Sequence, residues 1–143
     1  TRTKSSAASD VYKRQSHTFE HPLDPRIKGC THILWAGSTI DQNATARNAV
    51  FYGEKAIDRS PCGTGTSARM AQWFTNKKLS IDDNFTHESI IGSQFIGRIE
   101  STTEVDSYKA IVPSIEGWAK VYGYNQIIVD TNDDPYAHGF QVV

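Results

Sequence analysis

Sulfur is scarce in this chain: its 143 residues include two cysteines and one methionine. Two cysteines make no disulfide framework, so a reducing cytoplasm is the expected setting. No apolar run approaches the roughly 20 residues needed to span a bilayer, and no secretory signal pattern is read. Net charge is also nearly absent, at −1 from 15 Lys and Arg against 16 Asp and Glu. That balance offers no electrostatic footprint for nucleic acid or an anionic membrane, so neither is expected as a partner. What remains is an ordinary globular composition, long enough for one domain with a core.

Residues 1–15 stand apart. They set Arg2, Lys4, Lys13 and Arg14 against Asp10 and show no periodic pattern. They read as a non-native or disordered leader, with a basic targeting arm as the other reading, and carry no fold expectation. Residues 16–28 read as loop because Pro22 and Pro25 break any helix. The spacing then predicts strands at Cys30–Ala36 and Ala49–Tyr52, with Ser38–Thr45 as a polar connection and Gly53-Glu54-Lys55 as a hairpin turn. A helix is expected from Thr66 to Asn76. Its few polar positions, Arg69 and Gln72, predict burial around most of its circumference, and Lys77 and Lys78 follow at the end favourable to cations. Strands are predicted at Phe85–Glu88, Gln94–Ser101, Lys109–Val112 and Ile127–Val129, with Asp130–Pro135 as a turn. One buried helix among short strands predicts an α+β fold, a barrel-like sheet wrapped around a central apolar helix.

The chemistry concentrates in Asp58-Arg59-Ser60-Pro61-Cys62-Gly63-Thr64-Gly65-Thr66-Ser67-Ala68-Arg69. Pro61 presets the backbone before Cys62, and two glycines follow, so the thiol sits on a tight turn. The apolar composition from Ala68 onward places that turn just upstream of a helix N-terminus. Free N–H groups and the positive dipole end collect there, favouring a thiolate and also a bound carboxylate. The glycines do not form a nucleotide loop, because the lysine of a P-loop is absent. His87-Glu88 lacks a second His or Cys at useful spacing, so no metal is expected.

This run resembles the second catalytic-cysteine motif of the proline racemase family, which includes hydroxyproline epimerases and a related dehydratase. Asn48-Ala49-Val50-Phe51-Tyr52-Gly53, His87–Ser93, Pro113-Ser114-Ile115-Glu116-Gly117-Trp118 and Asp134–Phe140 resemble its 4-hydroxyproline epimerase branch. The likeness runs from about His17 to Val143. The first-cysteine motif of the family, Cys-Gly-His, has no counterpart, since Cys30 is followed by Thr31 and His32. The chain therefore resembles a C-terminal half. On this resemblance residues 16–122 form the second catalytic domain of a diaminopimelate-epimerase-like architecture. Residues 123–143 would return to a first domain that is missing, leaving Ile127, Ile128 and Val129 exposed, and Pro113–Gly117 would be a loop near the domain interface.

The resemblance also implies a reaction. Inverting an amino acid at Cα requires a base on one face, an acid on the other, and stabilisation of the carboxylate as negative charge develops. Cys62 would be one of the two bases, and no cofactor is needed. Gly63 and Thr64 would bind the substrate carboxylate through backbone N–H groups. Asp58 would meet the ring ammonium, with a turn or capping role as its alternative. His32 would lie near the substrate or else pack as a neutral strand histidine. The implied substrate is 4-hydroxyproline or, alternatively, proline; a catalytically incomplete half that only binds an imino-acid carboxylate is the third reading. The implied partners are the missing N-terminal half and, in the full-length form, a second copy. The dehydratase relative carries threonine at the second-cysteine position, so Cys62 speaks against dehydration.

Overall fold

The computed structural model describes residues 19–52 and 56–139. Residues 1–15 and the Gly53-Glu54-Lys55 turn lie outside the described residues. A short hairpin of β1 (Glu20–His21) and β2 (Asp24–Lys28) precedes the main sheet. It occupies the stretch expected to be loop. Pro25 is accommodated because this two-stranded ribbon is all edge, where a missing N–H donor is tolerated.

The main sheet contains β3 (His32–Gly37), β4 (Ala46–Tyr52), β6 (Phe85–Glu88), β7 (Gln94–Val105) and β8 (Tyr108–Glu116) in that order, with β5 (Ala56–Ile57) pairing to β4. β4 and β6 run parallel, with Ala46 opposite His87, and the other pairs are antiparallel. The fold is α+β with a mixed sheet. Among the described residues no pairing joins β3 to β8, so the sheet stays open and the expected barrel-like closure is absent.

The helix α1 (Gly63–Thr75) lies against β7 and β8. Met70, at helical spacing with Trp73 and Phe74, joins a core of Ala46, Leu79, Phe85 and Ile99, against which Trp73 and Phe74 pack. Gly97 makes the close approach possible, since a Cβ there would stand 2.5 Å from the Met70 sulfur. The expected burial around most of the helix does not occur. Thr66 and Met70 are buried, while Ala68, Gln72 and Thr75 face solvent, because an open sheet covers only one side. The helix closes with Lys77 in the left-handed region at φ 57, its N–H donating to Phe74 O at 3.0 Å and that of Lys78 to Trp73 O at 2.8 Å. This crossed pair satisfies carbonyls that the last turn would leave orphaned.

The β7–β8 hairpin is longer than predicted. Val105 pairs with Tyr108 across Asp106-Ser107, and Asp106 takes the positive φ of 54 that a two-residue turn requires. Pro113, expected to open an interface loop, instead continues β8. A register shift between Ile99 and Ser101 sits opposite it, and β8 is an edge strand, so the lost donor breaks no interior ladder. The expected strand at Ile127–Val129 is not formed: the segment has no ladder, and its side chains are 83, 82 and 63 % exposed. β-branched composition makes a strand only where a neighbour supplies the ladder. Among the described residues no helix is long and apolar enough to cross a membrane.

Phe85 is fully buried and packs edge-on against Trp73 at 5.3 Å. Phe85→Ala is expected to destabilise the chain by about 3–5 kcal/mol in a denaturant titration. Tyr124, 97 % exposed, serves as the control. Tyr124→Ala should stay within about 0.5 kcal/mol. Equal midpoints for the two variants would place the core elsewhere.

Candidate active site

The cysteine turn is held residue by residue. The Asp58 N–H donates to Val50 O at 2.9 Å, extending the β4–β5 ladder by one bond. Asp58 Oδ1 then accepts from the Ser60 N–H at 2.9 Å and the Ser60 hydroxyl at 2.8 Å. Ser60 Oγ in turn accepts from the Cys62 N–H at 3.1 Å. Ser93, in the turn between β6 and β7, donates its hydroxyl to Arg59 O at 2.8 Å. The Pro61 carbonyl accepts from Asn48 Nδ2 at 3.0 Å and faces Thr66 Oγ1 at 3.5 Å.

These bonds hold Cys62 at φ 66 and ψ 121, a conformation an L-residue rarely adopts. Such a residue stores about 1–3 kcal/mol of strain and persists only where its surroundings over-determine it. Cys62 is buried and is itself the N-cap of α1, so the helix starts at Gly63, three residues before the expected Thr66. Its Sγ accepts from the Gly65 N–H at 3.4 Å and lies 3.5 Å from Thr64 Oγ1. Gly65 is packed tightly, for a Cβ there would meet Leu34 Cδ1 at 3.2 Å and Cys62 Cβ at 3.3 Å.

The first intrahelical bond runs from the Thr66 N–H to Cys62 O, and the sulfur takes the Gly65 N–H. The Gly63 and Thr64 N–H groups therefore precede the helical ladder, on residues that are exposed. No acidic side chain stands in the first turn to offset the positive end of the helix. The arrangement can accept an anion beside a buried sulfur.

Of the predicted site residues, Asp58, Cys62, Gly63 and Thr64 share this one turn. His32 stands on β3, its Nδ1 2.8 Å from Thr31 Oγ1 and its ring stacked on Tyr52 at 5.6 Å. Strand alternation puts His32 on the same face as Leu34, which adjoins Gly65. Both cysteines are free, and Cys30 Sγ donates to His32 O at 3.4 Å. Among the described residues no three His, Cys, Asp or Glu side chains converge as metal ligands would.

Three polar side chains that the sequence motif does not single out lie directly under the turn: Asn48, Thr66 and His87, all buried. Thr66 Oγ1 lies 2.8 Å from His87 Nδ1, and His87 packs against the Phe85 ring at 5.0 Å. The available signal is Asn48, a polar residue on the inward face between Ala46 and Val50. Burial, helped by the charge of Arg69, pushes the His87 imidazole down to about 4.

The profile of the family described as proline racemase matches residues 4–141. The chain belongs to the proline racemase family. It is 61 % identical over 129 residues to a 4-hydroxyproline 2-epimerase of Spirosoma linguale, covering 90 % of this chain and 38 % of the relative. It is also 61 % identical over 123 residues to a 4-hydroxyproline 2-epimerase of Shewanella loihica, covering 86 % and 37 %. Among solved structures it resembles a hydroxyproline epimerase from Agrobacterium vitis with bound trans-4-hydroxy-L-proline. That likeness has a TM-score of 0.75 and 31 % identity, over 95 % of this chain and 38 % of the other. A probable proline racemase from Agrobacterium radiobacter K84 with bound carbonate also gives a TM-score of 0.75, at 32 % identity over 94 % of this chain and 39 % of the other. The chain thus spans about two fifths of the length of these relatives.

The depressed His87 titration has a definite sign. Below about pH 6.5 the unfolded chain takes up a proton that the folded protein refuses until about 4. The contribution of His87 is therefore complete above 6.5 and declines as pH falls toward 4, by up to about 1.4 kcal/mol per pH unit. Thermal melts between pH 7 and 4.5 should show a shallower decline for His87→Gln than for the wild type. Parallel curves would mean that His87 is protonated in the fold.

Proposed function

We propose that this chain is the Cys62-bearing half of a cofactor-independent, two-base amino-acid epimerase acting at Cα. The substrate is 4-hydroxyproline, interconverted between its trans-L and cis-D forms. The observation that carries this reading is a sulfur built into a helix N-cap, beside the N–H groups of two exposed residues, Gly63 and Thr64, that precede the helical ladder. The names of the relatives add support for the substrate.

In the proposed reaction the Gly63 and Thr64 N–H groups receive the carboxylate. The Cys62 thiolate removes the α-proton, forming S–H as Cα–H breaks, while the electron pair passes into the carboxylate as an enediolate. An acid on the opposite face then returns a proton to Cα. Asp58 spends Oδ1 on Ser60. Its Oδ2 takes the ring ammonium, a charge-assisted pairing. The turn role and the substrate role thus coexist in one side chain. His32, stacked on Tyr52, forms part of the wall around the ring.

The opposite acid comes from a first domain with a Cys-Gly-His motif, in a two-domain diaminopimelate-epimerase-like arrangement. In that arrangement residues 16–122 are the second catalytic domain. Residues 123–143 return to the first domain, a reading supported by the exposure of Tyr124, Ile127, Ile128 and Val129. The full-length form pairs with a second copy of itself. Two free thiols fit a reducing cytoplasm. Proline is the alternative substrate, and a half that binds the imino acid without turning it over is the alternative state of this chain alone.

The test is hydrogen exchange at Cα in D₂O with trans-4-hydroxy-L-proline and, in parallel, L-proline. The chain alone should give weak or no deuteration and no inversion, and Cys62→Ser should abolish whatever exchange there is. Adding a first half with the Cys-Gly-His motif should bring inversion, faster for hydroxyproline. Robust inversion by the chain alone would overturn the half-site reading. Undiminished exchange in the Cys62→Ser protein would remove Cys62 from the chemistry.

A further inference from the structure

Asn48, Thr66 and His87 are 3, 0 and 0 % exposed and come from three elements, β4, α1 and β6. Burying polar groups is unfavourable unless they are put to use, and apolar residues of similar volume could fill this space. What the three share is the Pro61 carbonyl. Asn48 Nδ2 donates to it at 3.0 Å, Thr66 Oγ1 faces it at 3.5 Å, and His87 Nδ1 lies 2.8 Å behind Thr66 Oγ1. That carbonyl belongs to the peptide plane entering Cys62, so anchoring it fixes the φ of 66 at which Cys62 is held.

The hydroxyl of Thr66 has one proton. When that proton points to Pro61 O, Thr66 must accept from His87, and the imidazole is then the Nδ1–H tautomer. The bare Nε2 is the nitrogen that lacks any partner in the interior. In that tautomer the polar relay runs from His87 through Thr66 to the Pro61 carbonyl.

We infer that Asn48, Thr66 and His87 are positioning residues that hold the Pro61 carbonyl and thereby keep the Cys62 sulfur on the Gly65 N–H and beside the Thr64 hydroxyl. The inference rests on the reading of Cys62 as the reacting thiol. Cys30 provides a reference thiol in the same molecule, away from the turn.

The experiment is iodoacetamide alkylation of the 143-residue chain between pH 6 and 9, with each cysteine followed by mass spectrometry. Thr66→Val and Asn48→Ala should each slow Cys62 alkylation about tenfold. Cys30 should be unchanged, and Thr66→Ser should restore the wild-type rate. Wild-type rates at Cys62 in folded Thr66→Val and Asn48→Ala proteins would overturn the positioning role while leaving the thiol's reactivity intact. A wild-type Cys62 no faster than Cys30 would overturn the reactive-thiol reading and this inference with it. Should both variants fail to fold, the ¹⁵N shifts of His87 in the wild type decide the question. A protonated Nδ1 with a bare Nε2 supports the relay, and the opposite tautomer breaks it.

Discussion

Three non-glycine residues stand at positive φ among the described residues, and one of them, Cys62, is the cysteine that caps α1, held there by its surroundings. The hold comes from both sides. Asp58 and Ser60 fix the N–H that enters Cys62, while Asn48 and Thr66 fix the preceding carbonyl. Ser93 anchors the turn two residues further back, at the Arg59 carbonyl. The sulfur then meets the Gly65 N–H because the backbone has been set for it.

The sheet serves this turn more than it encloses the helix. β4 delivers Asn48, β6 delivers His87, and the parallel pairing of these two strands brings both side chains beneath one loop. β7 contributes a missing side chain, since Gly97 opens the space that Met70 fills. The far side of the helix is left to solvent, as is the extended segment after β8. An open sheet with an exposed apolar tail has unsatisfied surface to bury, which fits a chain that spans about two fifths of its relatives.

The sequence was most legible where conformation is decided locally. Pro61 and the two following glycines announce a turn, and Phe85–Glu88 runs as its composition predicts. The helix start was misplaced by three residues because Gly63 and Thr64 are poor helix formers and the cap is a sulfur, not the usual oxygen. The hairpin tip was missed because Thr102, Thr103 and Glu104 are solvent-facing strand residues without apolar alternation. Pro113, expected to open an interface loop, is instead absorbed by an edge strand with a bulge opposite. The tail strand failed for the converse reason, since its composition was right and its ladder partner was lacking. The buried relay was illegible because its bonds join residues 13 and 21 positions apart on different elements.

One consequence follows from the cap itself. Because the same sulfur that would exchange protons also terminates the helix, the helix registers the chemical state of that sulfur. An alkylated or oxidised Cys62 presents the Gly65 amide with a different acceptor, and the first turn must find another closure. The Gly65 amide resonance is thus a built-in reporter, able to distinguish thiol, thiolate and modified sulfur without any substrate present.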